Sequence, residues 1–381
     1  VTPVRRIRRR PLPEAPANAA AWPPEVPPLL RRVYAARGAI DIASARPRLA
    51  ALLPPDGLLD LDRATALLDS AITEGRRILV VGDFDADGAT ACAVAVRGLR
   101  MLGAREVLHA VPNRMAHGYG LSPSLVEELA PLRPDLLVTV DHGIACHAGI
   151  DAAKALGWKV LVTDHHLPGE RLPAADAIVN PNRPGDGFGS RSLAGVGVMF
   201  YVLLALRARL RAGGRVEGKG PDLAQLLDLV AVGTVADLVP LEANNRALVA
   251  AGLRRLRAGR GCPGLAALVE VSGREAARLD AGDIGYAIGP RLNAAGRLED
   301  MSLGIECLLC DDPVRARELA QRLDAINRER RAVQQAMLDE AERRSRCGRW
   351  TRSCRGTAPR PPSVPTTPAG IPAWSAWSPR S

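Results

Sequence analysis

Apolar positions in the middle of this chain come in blocks. Ile78-Leu79-Val80-Val81, Leu136-Leu137-Val138-Thr139-Val140 and Val160-Leu161-Val162-Thr163 are short, rich in β-branched residues, and separated by longer stretches of helix-like sequence. An unbroken apolar run of this length suits a strand buried on both faces, and alternation of such runs with helical segments predicts a parallel sheet of the α/β class. Behind Pro313, the apolar residues Leu319, Leu323, Ile326, Val333 and Met337 are spaced by three, four and seven, which predicts one long helix over 313–344. GVGVMFYVLLAL, starting at Gly195, is too short for a membrane span and predicts a core helix.

The same pattern divides the chain. Residues 1–28 are Pro- and Arg-rich and expected to be flexible, apart from Trp22, which is expected to dock on the core. An α/β region over 29–212 carries the three runs. A Gly-rich loop over 212–221 leads to a second, more helical subdomain (213–312), then the long helix (313–344) and a disordered tail (345–381).

Each strand run ends in acids or imidazoles: Gly82-Asp83-Phe84-Asp85-Ala86-Asp87-Gly88, Val140-Asp141-His142-Gly143 and Thr163-Asp164-His165-His166. Side chains just beyond the carboxyl ends of parallel strands converge on one crevice, so these three loops are expected to share a site. Carboxylates and imidazoles without cysteine favour a hard or borderline divalent ion, and acids crowded together repel unless cations neutralise them. A single Asp after a strand is usually a turn or helix-cap residue; the joint arrangement of all three loops is what argues for metal.

Eight ordered motifs then make a resemblance specific: VVGDFDADGATA (80–91), VPNRMAHGYGLSP (111–123), TVDHGI (139–144), VTDHHLPGE (162–170), VNPNRP (179–184), SLAGVGVMFYVL (192–203), VGTVADLVPLEANNR (232–246) and GPRLNAAGRLED (289–300). The chain resembles the DHH phosphoesterase superfamily, whose triplet stands here as Asp164-His165-His166, and within it the RecJ single-strand-specific exonucleases. The resemblance implies that Asp85, Asp87, Asp141, His165 and Asp237 ligate two Mn²⁺ or Mg²⁺ ions, with Asp83 and His166 beside them as a catalytic acid and base. It implies 5′→3′ release of mononucleotides from single-stranded DNA in repair and recombination, with single-strand-binding protein and helicases as partners. Arg114, Arg291 and Arg297 are candidates for gripping phosphates, because guanidinium forks match phosphate oxygens. Asn293 lies in the same motif as the last two and joins them as a substrate-binding candidate. Tyr119 is a candidate for stacking on a base. His142 is expected only to cap a turn.

Composition adds less. The net charge of +10 is carried by the ends: residues 1–50 hold +7 and 343–381 hold +8, leaving −5 on 51–342. Global basicity is therefore no argument for nucleic acid. Seven scattered cysteines fit reduced thiols, and Cys307-Leu308-Leu309-Cys310 reads as buried helix rather than a metal pair. A cytoplasmic enzyme is the expectation, since the arginine-rich start lacks a signal-like apolar stretch.

From Ser345 onward no acid occurs, yet three of the five Trp lie there. GC-biased codons for residues 364–377, regrouped from the third base, can spell YDPGWHPGVVGLV, which resembles the WHxGVVG motif of the RecJ associated domain. The expectation is a one- or two-base indel near codons 343–350, and hence weakened or absent activity. The competing readings are an oligoribonuclease or cyclic-dinucleotide phosphodiesterase of the same superfamily, and a non-catalytic remnant.

Overall fold

The structure, a computed structural model, describes residues 22–353. The expectations for 1–21 and for the tail from 354 on lie outside the described residues.

Five strands form one parallel sheet in the order β2-β1-β3-β4-β5: β1 (Ile78–Gly82), β2 (Val107–Ala110), β3 (Leu136–Val140), β4 (Lys159–Thr163) and β5 (Ala177–Val179). The chain moves outward from β1 to β2 and returns to the other side of β1 at β3. That reversal opens a crevice at the strands' carboxyl ends. Register fixes what enters it: Gly82 pairs with Val140, and Val140 with Thr163. The residues that follow, Asp83, Asp141 and Asp164, therefore leave the sheet side by side.

Alternation along each strand supplies two cores. Ile78, Val80, Leu136, Val138 and Val140 face one cluster, while Leu79, Val81, Leu137, Val160 and Val162 face another. The second is covered by the short helices Pro123–Leu129 and His147–Ala155. The first is larger and runs through the helices Ala86–Met101, Gly195–Ala212 and Leu227–Ala236 as far as Ile326. The more helical region after residue 213 thus shares its core with the sheet, and residues up to Arg328 form one compact unit.

The last helix spans Pro313–Ser353, so the expected disordered tail begins too early at 345. Residues 345–353 hold three Arg and a single Gly, Gly348, and no proline interrupts them, so the helix runs on. From Glu329 onward it belongs to a second unit. Trp22 is buried and stacks on Tyr34 at 5.7 Å, but it joins a small cluster with Val26 and Ala39 instead of the main core. Within 22–28, Trp22 and Val26 are buried in that cluster, while Pro24, Glu25, Pro27 and Pro28 are exposed. Cys307 is buried in the helix Ser302–Leu309 and Cys310 follows its end. Among the described residues no helix is long and apolar enough to cross a membrane.

Candidate metal centre

The first loop is built by capping. Asp85 is the N-cap of the helix Ala86–Met101, and its Oδ1 accepts from the backbone N–H of Asp87 at 2.9 Å and of Gly88 at 3.0 Å. The turn closes so tightly that a methyl on Gly88 would lie 2.5 Å from the Asp83 backbone. Asp87 is buried, and its carboxylate accepts from Gly195 N at 2.6 Å and Val196 N at 3.0 Å, the first N–H groups of the helix Gly195–Ala212. Those bonds leave lone pairs on both oxygens for a further ligand.

Asp141 leaves β3 with φ 66, a left-handed conformation rare for a residue with a side chain, and donates its N–H to the Thr163 carbonyl at 3.0 Å. Gly195 packs against it, where a methyl would meet the Asp141 carboxylate at 2.5 Å. In the third loop Asp164 is the organiser. Its oxygens accept from Ile144 N at 2.9 Å, His165 N at 2.7 Å, His166 N at 3.0 Å and the His166 ring Nδ1 at 2.8 Å. Asn182 and Asn180 donate to the carbonyls of His165 and His166 at 2.5 and 2.9 Å. Asp237 arrives from elsewhere, as the C-cap of Leu227–Ala236.

These side chains meet. Asp141, His165 and His166; Asp87, His165 and Asp237; and Asp83, Asp85 and Asp141 form three groups, each with ligand atoms within 4.8 Å of one another. His165 Nε2 stands 3.1 Å from Asp141 Oδ1 and 3.6 Å from Asp237 Oδ2. Both Nε2 and Asp141 Oδ1 are buried, yet neither makes a hydrogen bond. Buried polar atoms are normally satisfied, so an unpaired nitrogen and oxygen facing each other among carboxylates fit a cation.

Electrostatics point the same way. Burial, then the neighbouring Asp85, push Asp83 and Asp87 up to about 7. Burial, then Asp87 and Asp85, push Asp237 up to about 8 and Asp141 well above the usual carboxylate range. His165 is depressed to about 4 by burial and then by His166, so its ring is neutral and ready to ligate. Asp164 differs: burial works to raise it, but its bonds to His166 and to backbone N–H groups outweigh that and hold it low. His166 is the counterpart, for burial opposes its charge and the bond to Asp164 prevails, raising it.

The substrate candidates divide. Tyr119 is 53% exposed, with its hydroxyl 3.4 Å from His166 Nε2 and its ring edge-on to Phe84. The Arg114 guanidinium sits 4.8 Å over the Phe84 ring. With Arg297 it lines a hollow of about 410 Å³, and partial desolvation together with Arg114 lowers the Arg297 pKa. Arg291 is a correction. It is buried, bound through Nε and Nη2 to Asp324 at 2.9 and 2.8 Å and through Nη1 to the Ala287 carbonyl at 2.7 Å, so its guanidinium clamps helices together. Asn293 Oδ1 accepts from Ala86 N at 2.7 Å and holds the start of the Asp85-capped helix. His142 is buried, depressed to about 4 by burial, and bonded at 3.0 Å to the Val81 carbonyl of β1, so it braces the strand rather than capping a turn. Sequence reasoning assigns no role to Asp164, Asn180 or Asn182, although the triplet and VNPNRP contain them.

The family described as "DHH family, N-terminal domain" matches residues 77–234. The single-stranded-DNA-specific exonuclease RecJ of Dickeya dadantii is 53% identical over 341 residues, covering 89% of this chain and 58% of that protein. The chain thus spans less than two thirds of the curated relatives it matches. A crystal structure of exonuclease RecJ bound to manganese is 40% identical with a TM-score of 0.68, over 76% of this chain and 70% of that one. RecJ from Thermus thermophilus in complex with Mg²⁺ is 34% identical with a TM-score of 0.61, over 81% of this chain and 40% of that one.

Proposed function

Because the chain belongs to the RecJ family of the DHH superfamily, we propose that it is a metal-dependent exonuclease that hydrolyses single-stranded DNA from the 5′ end and releases mononucleotides. The observation that carries this is the buried pair Asp141 Oδ1 and His165 Nε2, unbonded and 3.1 Å apart within a ring of acids. Asp85, Asp87, Asp141, His165 and Asp237 would hold two ions, Mn²⁺ or Mg²⁺, which supply Lewis-acid activation of water and neutralise phosphoryl charge.

The chain's own groups do the rest. His166 is held by Asp164 through Nδ1, and its raised pKa keeps a proton on Nε2 that can be donated to a phosphate oxygen. Asp83, grouped with Asp85 and Asp141, adds a carboxylate that can accept a proton from water. Arg114 and Arg297 line one hollow together with Glu299 and Asp300, and their guanidinium forks suit phosphate oxygens entering it. Tyr119, braced by Phe84 and His166, presents an exposed ring on which a base can stack. The family suggests cytoplasmic work in repair and recombination, alongside single-strand-binding protein and helicases.

The test is release of mononucleotides from 5′-labelled single-stranded DNA with Mn²⁺, by this chain and by its Asp141→Ala variant. Release that the variant loses supports the reading. Release that survives in the variant, or none from the parent chain, refutes it.

A further inference from the structure

Four residues beyond Asp237 the chain reaches Leu241, at the edge of a second groove of about 600 Å³. Four peptide units span at most about 14 Å, so the groove begins close to the centre. Arg46 and Arg48 form one wall, and Arg246, Arg254 and Arg257, from the helix Ala243–Arg257, form the other. The floor is apolar, with Leu241, Val249 and Leu253, and no acid lines the groove.

Five arginines without a carboxylate are out of keeping with their surroundings. Residues 51–342 carry a net charge of −5, and arginines elsewhere pair readily, as Arg209 and Arg215 do with Asp69. Here, among the described residues, Arg246 binds only the carbonyls of Leu241 and Ser44, with its Nε buried and unbonded, and Arg257 binds only the Leu279 carbonyl. Like charges brought together around one hollow repel, and a polyanion relieves that. Along the helix the three arginine positions are spread over about 17 Å of axis, a row rather than a point.

We propose that this groove holds the sugar–phosphate backbone of the DNA strand that continues from the metal centre, without reading its bases. The short chain distance from Asp237 to Leu241 and the excess of positive charge favour the same polyanion in both places. Guanidinium forks suit phosphate oxygens, while the absence of any aromatic side chain in the lining leaves the bases no stacking platform. The inference rests on the reading of the centre as a site for single-stranded DNA.

The experiment is fluorescence anisotropy of a labelled oligodeoxythymidine in EDTA. EDTA removes binding through the ions, and the difference between parent and groove variants then isolates the groove's contribution. Two charge-reversal variants, Arg254→Glu with Arg257→Glu and Arg46→Glu with Arg48→Glu, remove exposed side chains from opposite walls, and circular dichroism confirms that each folds. Each should weaken binding by at least about tenfold and reduce the slope of log K against log salt by about 1.4, because each phosphate contact on a single strand contributes about 0.7. In a Tyr119→Ala background, which removes the stacking ring at the centre, an abasic strand of equal length should bind as well as the parent strand. Unchanged affinity and slope in either variant, or a tenfold loss on removing the bases, overturns the proposal. Binding of polyglutamate in place of the strand also overturns it, in favour of an acidic protein segment. A chain that binds the strand in EDTA through these arginines yet releases nothing with Mn²⁺ refutes the catalytic reading and leaves the groove standing.

Discussion

Stripping divalent cations from this protein should destabilise it more at alkaline than at near-neutral pH. In the cation-free fold Asp83 and Asp87 lie at about 7 and Asp237 at about 8, against about 4 in an unfolded chain. A carboxyl raised by folding binds a proton that the unfolded chain has already lost, so stability falls as pH rises through the folded value. His166, raised by Asp164 against the effect of burial, also loses its contribution as pH rises through its folded value. His165, depressed to about 4, works the other way, but its effect is complete above the unfolded histidine value near 6.5. Between about pH 6.5 and 8.5 every one of these shifts therefore acts in one direction. Integration gives about 1 kcal/mol for each of the two carboxyls near 7 and about 2 kcal/mol for Asp237, on the order of 3–4 kcal/mol together. Differential scanning fluorimetry in EDTA should show a melting temperature that falls by several degrees across that window. Saturating Mn²⁺ should flatten the fall and so give its larger gain at the alkaline end. Asp237→Asn, which has no proton to release, should remove about half the slope. A cation-free melting temperature that is flat or rising, with equal Mn²⁺ gain at both ends, would refute the electrostatic account of the centre.

Two further substitutions separate the roles assigned inside GPRLNAAGR. Arg291→Ala leaves the half-buried Asp324 carboxylate with only the exposed Arg328 as partner and should cost about 1–2 kcal/mol in urea unfolding, with strand affinity per folded molecule unchanged; Arg297→Ala should do the reverse, leaving the melting temperature alone and weakening the strand. Gly296→Ala would drive a methyl into the Phe84 carbonyl, costing roughly 1–3 kcal/mol and displacing the loop that carries Asp83 and Asp85, so calorimetric Mn²⁺ affinity should fall with stability.

The sheet was legible where its strands are central. β1 and β3 are buried along their whole length and β4 past its first residue, and an unbroken apolar run records that directly. β2 buries only Val107 and β5 is three residues long, so neither makes such a run, although both are needed to complete the sheet. The acids after β1, β3 and β4 were legible for the same reason, since register alone delivers them to one edge. Arg291 and Asn293 show where this stops. A motif marks residues that matter without saying to what, and in GPRLNAAGR the arginine two residues after Gly289 clamps a helix while the one just after Gly296 faces the cleft.

The part that stayed illegible depends mostly on missing atoms. In GVGVMFYVLLAL the periodicity indicates a core helix and nothing more, yet its first residue has a second duty. Gly195 lacks the carbon that would strike Asp141, and its N–H, with that of Val196, binds Asp87. The helix N-terminus thereby brings partial positive charge onto a carboxylate that burial and Asp85 would otherwise neutralise by protonation. Two acids from distant segments are positioned by one glycine, through one bond made and one collision avoided. Neither is a property of the glycine's own neighbours in sequence, so only the fold could reveal that this apolar helix is part of the polar centre.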